Sequence, residues 1–133
     1  MDRFETIELL LDHYNSPRHH GPLAAATVSM PGRTPGCGDE ITIYLQVDET
    51  GTHVGCVQFE GTGCTVSQAL ASLLTERVQG MPLHELAALH LEELFPDLER
   101  GIVQSRVRCA ALALNTLKAA IAVYGQRQNR QAS

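Results

Sequence analysis

The stretch from Ile41 to Val78 constrains the fold of this chain more than any other, because its hydrophobic period changes once and sharply. Ile41, Ile43, Leu45 and Val47 alternate with Thr42, Tyr44, Gln46 and Asp48, the period of two that marks a half-buried strand. A turn through Glu49, Thr50 and Gly51 leads to a partner strand over Thr52 to Phe59. The hairpin closes in Gly61-Thr62-Gly63. From Cys64 onward the period becomes helical, with Val66, Leu70, Leu73, Leu74 and Val78 on one side. Gly80 caps that helix and Pro82 begins the next.

On the N-terminal side, Phe4, Ile7, Leu10, Leu11 and Tyr14 recur at three-and-four spacing, which predicts an amphipathic helix over residues 3–14. Ser16 to Gly38 is dense in proline and glycine and reads as loop, with a short edge strand at Ala26 to Met30. On the C-terminal side, Leu83, Leu86, Leu89 and Leu94 make a shorter helical segment broken by Phe95-Pro96. Arg106-Val107-Arg108 reads as extended. The last helix is expected to start at Cys109, to carry Leu112, Leu117, Ala120, Ile121 and Tyr124, and to end at Gly125. Residues 126–133 form a polar tail, so residues 1–125 are expected to be one domain.

Composition narrows the classes of function. With 133 residues and 44% hydrophobic content, the chain can fill a core without disulfide staples. A net charge of -5 repels a phosphate backbone, so nucleic acid is not the expected partner. The uninterrupted apolar runs fall far short of the roughly 20 residues that span a bilayer, so no membrane segment is expected. The N-terminus lacks the basic start and long apolar centre of an export signal, which predicts a cytoplasmic protein. In that reducing compartment four cysteines point to metal or sulfur chemistry rather than to disulfides.

Three of those cysteines occupy related places. Cys64 and Cys109 each open a helix, where unpaired N–H groups and the helix dipole bias a thiol toward thiolate, the form that ligates metals and attacks sulfur. Cys37 lies in Pro35-Gly36-Cys37-Gly38-Asp39, whose glycines let the backbone approach closely and whose Asp39 offers an oxygen ligand. Three thiolates and a carboxylate make a four-coordinate set, although the spacings of 27 and 45 residues are not the paired Cys-x-x-Cys of zinc ribbons. Convergence has to come from the fold. The donor set suits Zn²⁺ and a two-iron cluster alike, and a carboxylate in place of a fourth thiolate makes a cluster more labile.

These residues stand in blocks that resemble the iron-sulfur cluster assembly scaffold family, which includes IscU, SufU and the NifU N-terminal domain. Leu11-Asp12-His13-Tyr14 with Pro17-Arg18 and Gly21 is similar to its N-terminal signature, and Pro35 to Asp39 to its first ligand loop. Phe59-Glu60-Gly61-Thr62-Gly63-Cys64, continuing through Ser67, Ala69, Ala71, Ser72, Thr75 and Glu76, is the strongest block. Arg106-Val107-Arg108-Cys109-Ala110 resembles the final one. The resemblance implies an α+β fold, a three-stranded antiparallel sheet packed against several helices. It makes Cys37, Asp39, Cys64 and Cys109 the ligands of zinc or of a transient [2Fe-2S] cluster. It further implies that a cysteine desulfurase supplies sulfur, with Cys37 as the persulfide acceptor, and that recipient apo iron-sulfur proteins take the product. Such a protein is a carrier rather than an enzyme, with a sulfurtransferase role as the alternative and a purely structural zinc as the blandest one.

The resemblance is nearest the SufU-like branch. Arg108 stands where IscU-type members carry a histidine, and the Leu-Pro-Pro-Val-Lys segment of that type is absent. SufU-type members carry an insertion between their last two cysteines, which is missing between Cys64 and Cys109. Cys56, in mid-strand, matches no ligand position and is expected to be dispensable. His13, His19, His20, His53, His84 and His90 are scattered and are read as exposed or packing side chains. Arg106 and Arg108, on one side of an extended segment, are either solvated cations or neighbours that tune the Cys109 thiol or contact the desulfurase. Gly61-Thr62-Gly63 lacks the lysine or fingerprint of a phosphate-binding loop.

Overall fold

The computed structural model describes residues 1–34, 38–105 and 107–132. Among them the order of elements is α1 (Arg3–Asn15), β1 (Val28–Arg33), β2 (Glu40–Val47), β3 (Val54–Thr62), α2 (Thr65–Val78), α3 (Leu83–Ala87), α4 (Leu91–Leu94), α5 (Arg100–Ser105) and α6 (Val107–Ala132). The strands form one antiparallel sheet in the order β1-β2-β3. Its register sets Ile43 opposite Met30 and Phe59, and Leu45 opposite Val28 and Val57. The inward positions Ile41, Ile43, Leu45, Val57 and Phe59 are buried, whereas Thr42, Tyr44 and Gln46 on the other face are half-buried. This is the alternation read from the sequence, and the architecture is the α+β arrangement expected. A bulge between Gln46 and Val47 shifts the register, so that Val54 and Val57 both reach the core although two residues, Gly55 and Cys56, lie between them.

Helices α2 and α6 pack against each other and cover the inner face, α2 on β3 and α6 on β1 and β2. Their buried side chains, among them Leu70, Leu74, Val78, Ala113, Leu117 and Ala120, complete the core with those of the sheet. Helix α6 is long and apolar enough to cross a membrane by length and composition alone. Its apolar side is the one consumed in this core. At Gly32 a Cβ would overlap Thr116 Oγ1 and lie 3.1 Å from Thr116 Cβ, so the edge strand sits on α6 as closely as backbone allows.

Helix α1 buries a different side from its apolar one. Phe4 (68% exposed), Ile7, Leu11 and Tyr14 face outward, and the residues turned inward are Thr6, Leu10 and His13. Hydrogen bonding explains the choice. Thr6 Oγ1 accepts the Glu99 N–H at 2.9 Å, and His13 is bound between Ser72 Oγ (2.8 Å, at Nδ1) and Glu76 Oε1 (3.2 Å, at Nε2) on α2. A buried polar group with its partners in place costs little, and spacing alone does not reveal those partners. Asp2 and Glu5 close a capping box at the start of this helix.

Two further expectations are corrected at the C-terminal end. The Arg106-Val107-Arg108 segment is not extended, since Val107 and Arg108 begin α6, while Arg106 lies outside the described residues. The preceding helix α5 starts where the Glu99 carboxylate accepts the N–H groups of Gly101 (3.0 Å) and Ile102 (2.8 Å), a cap that supplies a helical start without an apolar period. Nor does α6 stop at Gly125, for the helix runs on to Ala132. A glycine inside a helix weakens it by about 1 kcal/mol but does not break it. Residues 126–130 are exposed, and Arg127 Nη1 donates to the Thr27 carbonyl at 3.1 Å. Between α4 and α5, Arg77 holds Asp97 through two bonds of 2.7 and 2.8 Å and lies over the Phe95 ring, which ties this segment to α2.

Candidate metal centre

Three segments far apart in sequence meet at one end of the sheet. Cys64 is the N-cap of α2, as its place after the glycine pair suggests, and its Sγ accepts the Ser67 N–H at 3.4 Å. Asp39 stands just before β2 and is 2% exposed. Its Oδ1 accepts the Cys64 N–H at 2.9 Å, and its Oδ2 lies 3.6 Å from Cys64 Sγ, within reach of the thiol proton. Cys109 is the third residue of α6, half-buried, with its thiol hydrogen-bonded to Asp39 and to Cys64. One ligand atom from each of Asp39, Cys64 and Cys109 lies within 4.8 Å of the other two. Cys37 lies outside the described residues.

Burial works against the charge on Asp39, but bonds from the Cys109 thiol, the Cys64 N–H and the Cys64 thiol outweigh it and hold the carboxyl below its usual value. The same contacts act oppositely on Cys109. Burial first, then the hydrogen bonds and charges of Asp39 and Cys64, push its thiol up to about 12. The expectation that a helix start biases Cys109 toward thiolate is therefore corrected: it sits inside the first turn of α6, beside a carboxylate, and is a thiol at neutral pH. A bound divalent ion reverses that balance, because a coordinating thiol loses its proton outright. A carboxylate oxygen and two sulfurs from three separate segments, at separations that a single ion can bridge, fit a metal or a small cluster.

The other sequence candidates stay apart from this cluster. Cys56 lies on β3 opposite Gln46, half-buried and free. Among the described residues no histidine joins the group. His13 is a packing residue between α1 and α2, and His20 packs edge-on against Phe59 with ring centroids 5.2 Å apart. Arg108 is exposed at the start of α6. The glycine pair before Cys64 has a role beyond ending the hairpin. A Cβ on Gly61 would overlap the Glu40 carbonyl, and one on Gly63 would overlap Asp39 Oδ1 and lie 2.8 Å from its Cγ. Two glycines beside a ligand cysteine are the visible signal of such a close approach.

An α+β domain that gathers a carboxylate and two thiols from separate segments to within 4.8 Å has the donor set of a candidate metal or cluster site. The model of the NifU-like N terminal domain matches residues 6–131. The iron-sulfur cluster assembly scaffold protein IscU of Thermotoga maritima is 38% identical over 133 aligned positions, covering 86% of this chain and 90% of the relative. The zinc-dependent sulfurtransferase SufU of Bacillus subtilis is 34% identical over 94 positions, 71% of this chain and 60% of that protein. Among solved structures, a SufU assigned to the SUF system of Fervidobacterium islandicum superposes with a TM-score of 0.69 at 27% identity, covering 86% of this chain and 94% of the other. The NifU-like N-terminal domain from Brucella abortus gives 0.74 at 17% identity, covering 94% and 99%, and supports the fold alone. The chain belongs to the NifU-like N-terminal domain family, as the motif blocks indicate.

Proposed function

We propose that this chain is an iron-sulfur cluster assembly protein, with Cys37, Asp39, Cys64 and Cys109 holding zinc or a nascent [2Fe-2S] cluster. The observation that carries this reading is the convergence of Asp39, Cys64 and Cys109 within 4.8 Å. Its support in kinship is the likeness to scaffolds named IscU. The cluster is cargo, built here and passed to recipient apo proteins. Asp39 suits a temporary holder, since a carboxylate binds iron less tenaciously than a fourth thiolate. Sulfur comes from a cysteine desulfurase. The Cys37 thiolate attacks the outer sulfur of the donor's persulfide, the S–S bond of the donor breaks, and the donor cysteine leaves as thiolate. Such chemistry needs thiols kept reduced, which suits a cytoplasmic protein.

The likeness to a zinc-dependent sulfurtransferase favours a second reading. In it zinc is the resident ion, and the chain accelerates the desulfurase by accepting its sulfur on Cys37. The experiment is the cysteine-dependent turnover of the host's desulfurase with and without the zinc-loaded chain, alongside Cys37→Ala. Stimulation that is lost in the variant supports the sulfur acceptor. No stimulation, together with a [2Fe-2S] absorption spectrum after reconstitution and a longer-lived cluster in Asp39→Ala, supports the scaffold. Retained zinc with neither behaviour leaves a structural metal and overturns both.

A further inference from the structure

We infer that Gly63 is a positioning residue for Asp39: the space where its Cβ would stand is the seat that holds the Asp39 carboxylate at the two thiols. The inference rests on the ligand role proposed for Asp39 and extends it to a residue that offers no ligand atom. A Cβ at Gly63 would overlap Asp39 Oδ1, lie 2.8 Å from Cγ and 3.0 Å from Cα. The carboxylate therefore lies against the backbone immediately before α2. There Oδ1 takes the N–H of Cys64, the residue after Gly63, at 2.9 Å. One backbone stretch thus supplies both the room and the donor. With Oδ1 accepting that N–H, Oδ2 is the oxygen turned to Cys64 Sγ, 3.6 Å away, and is the one placed to meet an ion between Asp39 and the thiols.

The consequence is that β2 and α2 are coupled at the site through a missing methyl group. The Asp39 carboxylate is held by the N-terminal end of α2, through the Cys64 N–H and the space at Gly63, with no metal needed to orient it. A group that orients a ligand without touching the metal typically changes affinity by about 10- to 100-fold when removed. Gly63→Ala displaces the carboxylate and falls in that range for zinc. The glycine also has φ +147°, where an alanine is strained whatever its neighbours. Strain and displacement are separable, because only displacement depends on the Asp39 side chain.

The test is a double-mutant cycle of Gly63→Ala and Asp39→Ala on the full chain, reading zinc affinity by competition with a chromophoric chelator and the melting temperature without metal. The expected result is about a 10- to 100-fold loss in each single variant and less than about a threefold further loss when Gly63→Ala is added to Asp39→Ala. If Gly63→Ala alone fails to fold, recovery of a cooperative melt in the double variant supports the same seat. Wild-type affinity in Gly63→Ala overturns the inference, as does an equal loss in both backgrounds or a double variant that also fails to fold. If Asp39→Ala itself binds zinc as tightly as wild type, the ligand reading of Asp39 fails, a result distinguishable from failure of the Gly63 seat.

Discussion

Loading the site with zinc should release a proton from Cys109, and the count can be worked from the groups around its thiol. The Cys109 thiol is pushed up to about 12 by burial and by the Asp39 and Cys64 groups beside it, so at pH 7 it carries its proton in essentially every metal-free molecule. Coordination requires the thiolate, which makes this residue's contribution one proton per ion bound. Each proton released makes affinity rise about tenfold per pH unit, so between pH 6 and 8 Cys109 accounts for about one unit of slope in log K against pH. Asp39 contributes nothing to that slope, because its carboxyl lies below its usual value and is ionised throughout the range. The assay is titration calorimetry with zinc in buffers of different ionisation enthalpy, on wild type and Cys109→Ser. The variant should release one proton fewer and show a slope lower by one. An unchanged count would mean that Cys109 is not a ligand, or that burial beside Asp39 does not keep its proton in place.

Other outcomes follow from the same packing. Burial and the nearby Arg18 and Arg77 charges hold His13 below its ordinary value of 6.5 despite Glu76 and Asp12, so the unfolded chain takes up this proton first as pH falls. Stability should drop as pH decreases through 6.5, and urea midpoints compared at pH 7.5 and 5.5 should show a smaller drop in His13→Gln. Gly32→Ala drives a methyl into Thr116 and should cost about 1–3 kcal/mol in chemical denaturation, most of it recovered when Thr116→Ala removes the overlapped hydroxyl. An equally unstable double variant would assign the cost elsewhere. Cys56→Ala should bind zinc with wild-type affinity, measured by chelator competition, because Cys56 lies outside the ligand cluster.

Much of the fold is legible because its signals are local. The alternation from Ile41 to Leu45 depends only on which face of a strand is buried, and it survives in the structure up to the bulge at Gln46 and Val47. The change of period at Cys64 likewise marks the true start of α2. Signals failed where a polar contact outvoted an apolar count. Nothing in the spacing of α1 reveals that Ser72, Glu76 and the Glu99 N–H wait for His13 and Thr6, so the apolar stripe points outward. The cap that Glu99 provides for α5 is hidden for the same reason, as is the continuation of α6 beyond Gly125.

The site divides along the same line. By itself the sequence determined which side chains can ligate, since cysteine and aspartate beside glycine or at a helix start carry that chemistry wherever the chain takes them. Their meeting was a tertiary matter, because Asp39, Cys64 and Cys109 come together only when β2, α2 and α6 close on one another. The protonation of Cys109 was decided there as well. A helix start favours thiolate, but a buried carboxylate beside the thiol favours the proton more strongly, and only the packed structure brings that carboxylate to it.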